Sequence, residues 1–196
     1  MSLFTTTLSM FLIMNSVGHI MGYLDLVKTL DTKRRQWIII REMLFALMIM
    51  LLFHFLGAFL LMALEVHAQT VFFAGGLILF LIAIRMIFPP HNKTAYVIEH
   101  QEPFIFPIAT PMIAGPSILT TIMLYSYQED GQKVMAAILI AWAFSITVLF
   151  FAHNIKEIVG RRALIAVERL MGLLLTMMAV EMLLKGLKSL IKDGIL

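Results

Sequence analysis

The residues of this chain that suit chemistry are residues that bind rather than residues that break bonds. Along 107–121, which reads PIATPMIAGPSILTT, the hydroxyls of Thr110, Ser117, Thr120 and Thr121 fall among Pro107, Pro111, Gly115 and Pro116. Proline has no amide donor and clashes with the preceding turn, so this pattern predicts a helix broken in its middle. A helix restarting at Pro116 would offer unpaired backbone N–H groups, which suit a carboxylate. A second polar set lies near the N-terminus. Asn15 and His19 are four apart, which predicts that they share one helix face. Gly18 and Gly22, also four apart, predict a small-residue strip that admits a neighbouring helix. Histidine's ordinary titration range lies nearest physiological pH, so His19 is the candidate carrier of a coupling proton. The plainer alternatives are a neutral, hydrogen-bonded His19 and a kinked helix with no ligand.

Other chemistry finds little support. Neither HExxH nor GxSxG occurs, so no metalloprotease or nucleophile elbow is signalled and no enzyme is expected. His91, Glu99, His100 and Glu102 share one loop, but their spacing fits no metal site. No cysteine is present, so thiolate ligands and disulfides are excluded. No cofactor is expected.

These residues must be held by a membrane protein. The 196 residues are 61% hydrophobic and only 14% charged, with mean hydropathy +0.94. A soluble domain of that composition lacks the polar surface to cover itself. The net charge of +3 comes from basic residues placed in loops, which is a topology signal and not a nucleic-acid footprint. Sixteen methionines suit packing and lipid contact. Apolar runs of helix length predict six spans, at about 3–24, 37–64, 71–88, 104–127, 134–152 and 163–187. The first lacks the basic flank and cleavage site of a signal peptide. Within span two, Trp37 suits an interface anchor and Arg41 snorkels. Glu42, turned about 100° from Arg41, is expected to pair across helices, and His54 to be packed and hydrogen-bonded. In span six, Glu181 precedes Lys185 by one turn and should pair with it.

The chain also repeats. GLILFLIAIRM, 76–86, aligns with GLLLTMMAVEM, 172–182, with identity at Gly76, Leu77, Leu79, Ala83 and Met86 at an offset of 96. Gly18 meets Gly115 at 97. Two three-helix halves, about 1–90 and 103–196, are therefore expected within one domain, 1–196. Three spans per half force opposite insertion, the inverted repeat of many secondary transporters. Loops one, three and five carry Lys28, Lys33, Arg34, Arg35, Lys93, Lys156, Arg161 and Arg162, against Lys133, Lys185, Lys188 and Lys192 opposite. That bias predicts cytoplasmic odd loops and both termini outside.

The segment EPFIFPIATPMIAGPSILTTIML, with AGGLILFLIAIRMIFP before it and ERLMGLLLTMMAVEMLLKGL after it, resembles the MarC-type family of bacterial membrane proteins. The resemblance covers nearly the whole chain. It implies a six-span protein of the bacterial inner membrane and, since some members transport neutral amino acids, a secondary transporter of such small solutes. One departure stands out. The family's first half usually reads Asp/Asn-Pro-x-Gly-Asn-x-Pro, where this chain has Asn15-Ser16-Val17-Gly18-His19-Ile20-Met21. With both prolines missing, span one is expected to be more continuous than in relatives. The expected substrate site draws on Asn15, Gly18, His19, Thr110, Pro111, Gly115, Pro116, Ser117 and Thr120, near mid-membrane between spans one and four. The expected partners are the bilayer, a small solute and a coupling proton or cation, with oligomeric state left open. The competing class is a membrane scaffold without a substrate.

Overall fold

Long apolar runs free of proline become unbroken helices in the computed structural model, which describes residues 2–27, 30–63, 65, 67–88, 109 and 113–192. In chain order the helices are α1 (Leu3–Met14), α2 (Ile20–Leu26), α3 (Thr32–Ala63), α4 (Ala68–Ile87), α5 (Pro116–Gln128), α6 (Gly131–Phe150), α7 (Ala152–Val159) and α8 (Arg161–Lys192). No strand occurs among the described residues. Among the described residues four helices, α3, α4, α6 and α8, are long and apolar enough to cross a membrane. The runs expected as spans one and four are the two that are not continuous. Span one is divided into α1 and α2 although it lacks the family's prolines. The metal-like loop residues His91, Glu99, His100 and Glu102 lie outside the described residues, as do Thr110 and Pro111.

Helix ends follow local chemistry. Ser2 caps α1, its hydroxyl accepting from Thr5 N at 3.2 Å. Asp130 caps α6, accepting from Gln132 N at 3.1 Å. Such caps satisfy amides that the first turn leaves unpaired. Gly160, at φ 81°, makes the turn from α7 into α8, a conformation that a β-carbon disfavours.

The most extensive packing joins α4 to α8, and glycine permits it. A Cβ built on Gly76 would lie 3.0 Å from Leu183 N and 3.1 Å from Ala179 O; one on Gly172 would lie 3.2 Å from Ala83 O and 3.0 Å from Ile87. Gly186 sits equally close to Phe73 and Gln69. Rising numbers on α4 meet falling numbers on α8, so the pair is antiparallel. Residues that match at the offset of 96 also match in exposure. Ala83 and Ala179 are both 0% exposed and Met86 and Met182 both 8%, while Leu77 and Leu173 are 46% and 51% exposed. Identity thus falls on shared packing positions as well as on the lipid-facing surface.

A second antiparallel pair is α3 and α6. Trp142 Nε1 donates to Met43 O at 2.7 Å, and Gly131 lies beside His54. On α6 rests α1, with Phe11 and Phe144 edge to face at 6.3 Å. On α3 rests α5, where Gly57 admits Met123. Outward faces carry large apolar side chains such as Phe55, Phe59, Met62 and Met177, the surface a bilayer requires. Methionine serves both roles, since Met10, Met14, Met43 and Met50 are buried. The expected pair Lys185–Glu181 is present at 3.3 Å. Arg41 and Glu42, expected to point apart, are paired instead: Arg41 Nη2 and Nε donate to Glu42 Oε1 at 2.8 and 3.0 Å. The arginine is long enough to fold back around the helix, with its guanidinium 5.0 Å from the centre of the Trp37 ring.

Candidate functional site

The first helix break is made by asparagine. Asn15 closes α1 with φ 51° and ψ 35°, the left-handed conformation that asparagine adopts more readily than other residues bearing a β-carbon. Its backbone N–H donates back to Phe11 O and Leu12 O, and five residues, 15–19, pass as turns before α2 begins. No proline is required. Because His19 is the N-cap of α2, it does not share a helix face with Asn15 as expected. The chain stays local nonetheless, with His19 N donating to Asn15 O at 3.1 Å. Gly18 and Gly22 likewise form no strip, since Gly18 lies in the turn and Gly22 is exposed on α2. Gly18 has another task. A Cβ there would lie 2.5 Å from Asn15 Oδ1 and 2.7 Å from Met86 Cε, so only glycine fits beneath the asparagine amide.

That amide is buried and half satisfied. Asn15 is 1% exposed; its Nδ2 donates to Met86 Sδ at 3.0 Å, while Oδ1 has no hydrogen-bond partner among the described residues. Ser16, fully buried next to it, has an equally unpartnered hydroxyl. A buried polar atom without a partner is costly, on the order of 1–3 kcal/mol, and natural structures contain few. Two such atoms lie side by side at this helix break.

The second break is made by glycine and proline. Gly115 is extended at φ −80° and ψ 168°, and Pro116 opens α5 at its first position. Just before it, Ala114 N reaches back to Ala109 O at 2.8 Å, a wider loop than an α-helical turn makes. Gly115 gives α5 no side-chain cap. The first-turn amides of Ser117 and Ile118 thus face the positive end of the helix dipole, and both residues are buried. Thr121 Oγ1 donates to Ser117 O at 2.8 Å and is thereby committed to its own helix.

The candidates divide into two groups along α4. Asn15 and Gly18 touch Met86, whereas Thr120 presses its Cγ2 against Gly75. Eleven residues separate those two positions of α4, about 16 Å along its axis. Helix α1 packs against α5, so the elements adjoin even though these side chains do not meet at one depth.

Two recesses lie at the ends of the α3–α6 pair, away from the breaks. One, of ≈ 400 Å³, holds His54, whose Nδ1 is 2.7 Å from Ser126 Oγ, which fits the packed and hydrogen-bonded role expected of it. The other, of ≈ 50 Å³, is walled by Tyr23 and Arg35. Neither was read from sequence, although Gln36 and Gln132, one in each, stand at the repeat offset and were visible there. Glu42, expected to pair across helices, is a further buried polar group, with 0% exposure and Oε2 unpartnered among the described residues. No cluster of three or more metal-ligating side chains occurs among the described residues.

Comparison with known proteins bears on this geometry. The family model described as "MarC family integral membrane protein" matches residues 1–191. A UPF0056 membrane protein of Buchnera aphidicola subsp. Baizongia pistaciae is 42% identical over 190 residues, covering 94% of this chain and 96% of its own. The UPF0056 inner membrane protein YhgN of Escherichia coli is 41% identical over 184 residues, covering 92% and 93%. A UPF0056 membrane protein of Chlamydia muridarum is 34% identical over 198 residues, covering 98% and 96%. No solved structure matches the chain.

Proposed function

The chain belongs to the MarC family of integral membrane proteins, and from that premise we propose that it is a secondary transporter of small neutral solutes, with neutral amino acids as the preferred class. The observation that carries this reading is the pair of helix breaks. One holds the buried Asn15 Oδ1 and Ser16 Oγ, unpartnered among the described residues, and the other presents the uncapped start of α5. Discontinuous helices in membranes survive where they line a cavity or bind a ligand. A carboxylate suits the amides of Ser117 and Ile118 at the second break, and an ammonium suits carbonyl and hydroxyl oxygens such as those of Asn15 and Ser16 at the first. The remaining site members are Gly18, His19, Thr110, Pro111, Gly115, Pro116 and Thr120, with a proton or cation as the coupling species.

The wider architecture proposed is six spans in two inverted halves. Two contacts support it, because the approach of Gly76 to Ala179 and that of Gly172 to Ala83 exchange under the offset of 96. Parity supports it too. Helix α4 ends beside the first half of α8, and α6 reaches α8 through the short α7, so α6 starts at the opposite end of the bundle from the end of α4. The chain between them must then cross once. The relative YhgN is named an inner membrane protein, and that location is proposed here, with both termini periplasmic.

The test is uptake of labelled alanine, serine and glycine into liposomes containing the purified chain. Accumulation above empty liposomes is the expected result. No uptake of any solute tried, by well-folded protein, would favour a scaffold instead.

A further inference from the structure

We propose that the two recesses at the ends of the α3–α6 pair are the two access vestibules of a single permeation path, with the His54 end open and the Arg35 end shut. The inference rests on the transporter reading and adds to it a gate and a conformational state. Its basis is positional. His54, Gly131, Gln132 and Met135 line the wide recess; Phe150, Arg35, Gln36 and Ile39 line the narrow one. Taken in the order His54 with Phe150, Gly131 with Arg35, Gln132 with Gln36 and Met135 with Ile39, each pair is 96 positions apart. That is the offset at which the glycine–leucine segments of α4 and α8 align. Unrelated dents in a helical bundle have no reason to be lined by repeat-equivalent positions. Two ends of one path built from a duplicated unit do.

Their placement fits as well. His54 and Arg35 are nineteen residues apart on α3, about 28 Å. That is close to the thickness of the hydrocarbon core, about 30 Å, so the recesses face opposite sides of the membrane. Their sizes differ, ≈ 400 Å³ against ≈ 50 Å³. The narrow end is tied shut by two bonds. Arg35 Nε donates to Leu30 O at 2.6 Å, and Tyr23 OH donates to Arg35 O at 3.3 Å, joining α2 and the following loop to α3. Beneath them Ile39 is 2% exposed, while its equivalent Met135 is half-buried. A symmetric unit that opens one end while closing the other gives this inequality, and a transporter needs it so that both sides are never open together.

The natural chain has no cysteine, so single cysteines report directly. Met135→Cys and Ile39→Cys are each introduced alone, and the full chain is purified in detergent, where both faces meet water. A maleimide should label Met135→Cys at least tenfold faster than Ile39→Cys. Adding Arg35→Ala, or the milder Tyr23→Phe, should then raise the rate at Ile39→Cys and lower it at Met135→Cys, each at least threefold. A gain at Ile39→Cys with no change at Met135→Cys would overturn the proposal, because Arg35 would then be a static plug where the other half has Gly131. Equal labelling of the two cysteines without Arg35→Ala or Tyr23→Phe would overturn it too. Where Ile39→Cys disturbs folding, Gln36→Cys and Gln132→Cys report the same exchange from the rims. Labelling requires no transport, so absent uptake with reciprocal labelling would refute the transporter reading alone, and uptake without reciprocity would refute this inference alone.

Discussion

The two helix breaks have different makers. At the first, Asn15 turns the chain by adopting a left-handed conformation, and Gly18 leaves room for its amide. At the second, Gly115 is extended and Pro116 removes a donor. The first break depends on one side chain that also lines the proposed site, so conformation and binding are joined in Asn15. The second divides the task between Gly115 and Pro116, and the polar groups it presents are backbone amides. The lesson is that a discontinuous membrane helix can be encoded without proline, and that the two encodings should fail differently when changed.

The largest effect is expected at Gly18. In Gly18→Val the added carbons collide with Asn15 and Met86, so thermal unfolding in detergent should move to lower temperature by an amount matching about 1–3 kcal/mol, and uptake should fall to the level of empty liposomes. Gly22→Val, on an exposed face of α2, should alter neither. Asn15 comes next and separates the two roles. Asn15→Gly keeps the left-handed turn and loses the amide, so unfolding should change by less than about 1 kcal/mol while uptake drops at least tenfold. Asn15→Ala should add backbone strain of about 1–2 kcal/mol. Equal loss of stability in both variants would mean that Asn15 is only a structural cap.

The second break should yield more gently. Pro111→Ala with Pro116→Ala restores two amides and should slow hydrogen exchange around Ser117 as helix extends backwards, reducing uptake more than stability. Undiminished uptake in a well-expressed double variant would count against a functional break there. The smallest effect concerns His19. Should His19 carry the coupling proton, uptake by the natural chain varies between about pH 5 and 8, and His19→Asn flattens the profile. Matching profiles would leave His19 as a hydrogen-bonding residue.

Much of this was legible in the sequence, for identifiable reasons. Proline and glycine act through the backbone, so the second break can be read directly from Gly115 and Pro116. Hydropathy marks long apolar runs, so α3, α4, α6 and α8 were anticipated nearly to their ends. The first break was hidden because asparagine's left-handed preference is a local option that a hydropathy scan does not register. The Arg41–Glu42 pair was misjudged because Cβ directions were used where side-chain length decides. The recesses were hidden for a further reason. Gln36 and Gln132 are ordinary polar residues near helix starts, and only the folded α3–α6 pair gives their shared offset a meaning.

The most direct test of the central claim is counterflow of labelled alanine in liposomes preloaded with unlabelled alanine, comparing the natural chain with Asn15→Gly. The account expects the natural chain to accumulate label transiently and the variant to do so at least tenfold more slowly at equal protein content and similar stability. Identical traces for the two, or a natural chain no different from empty liposomes, would contradict it.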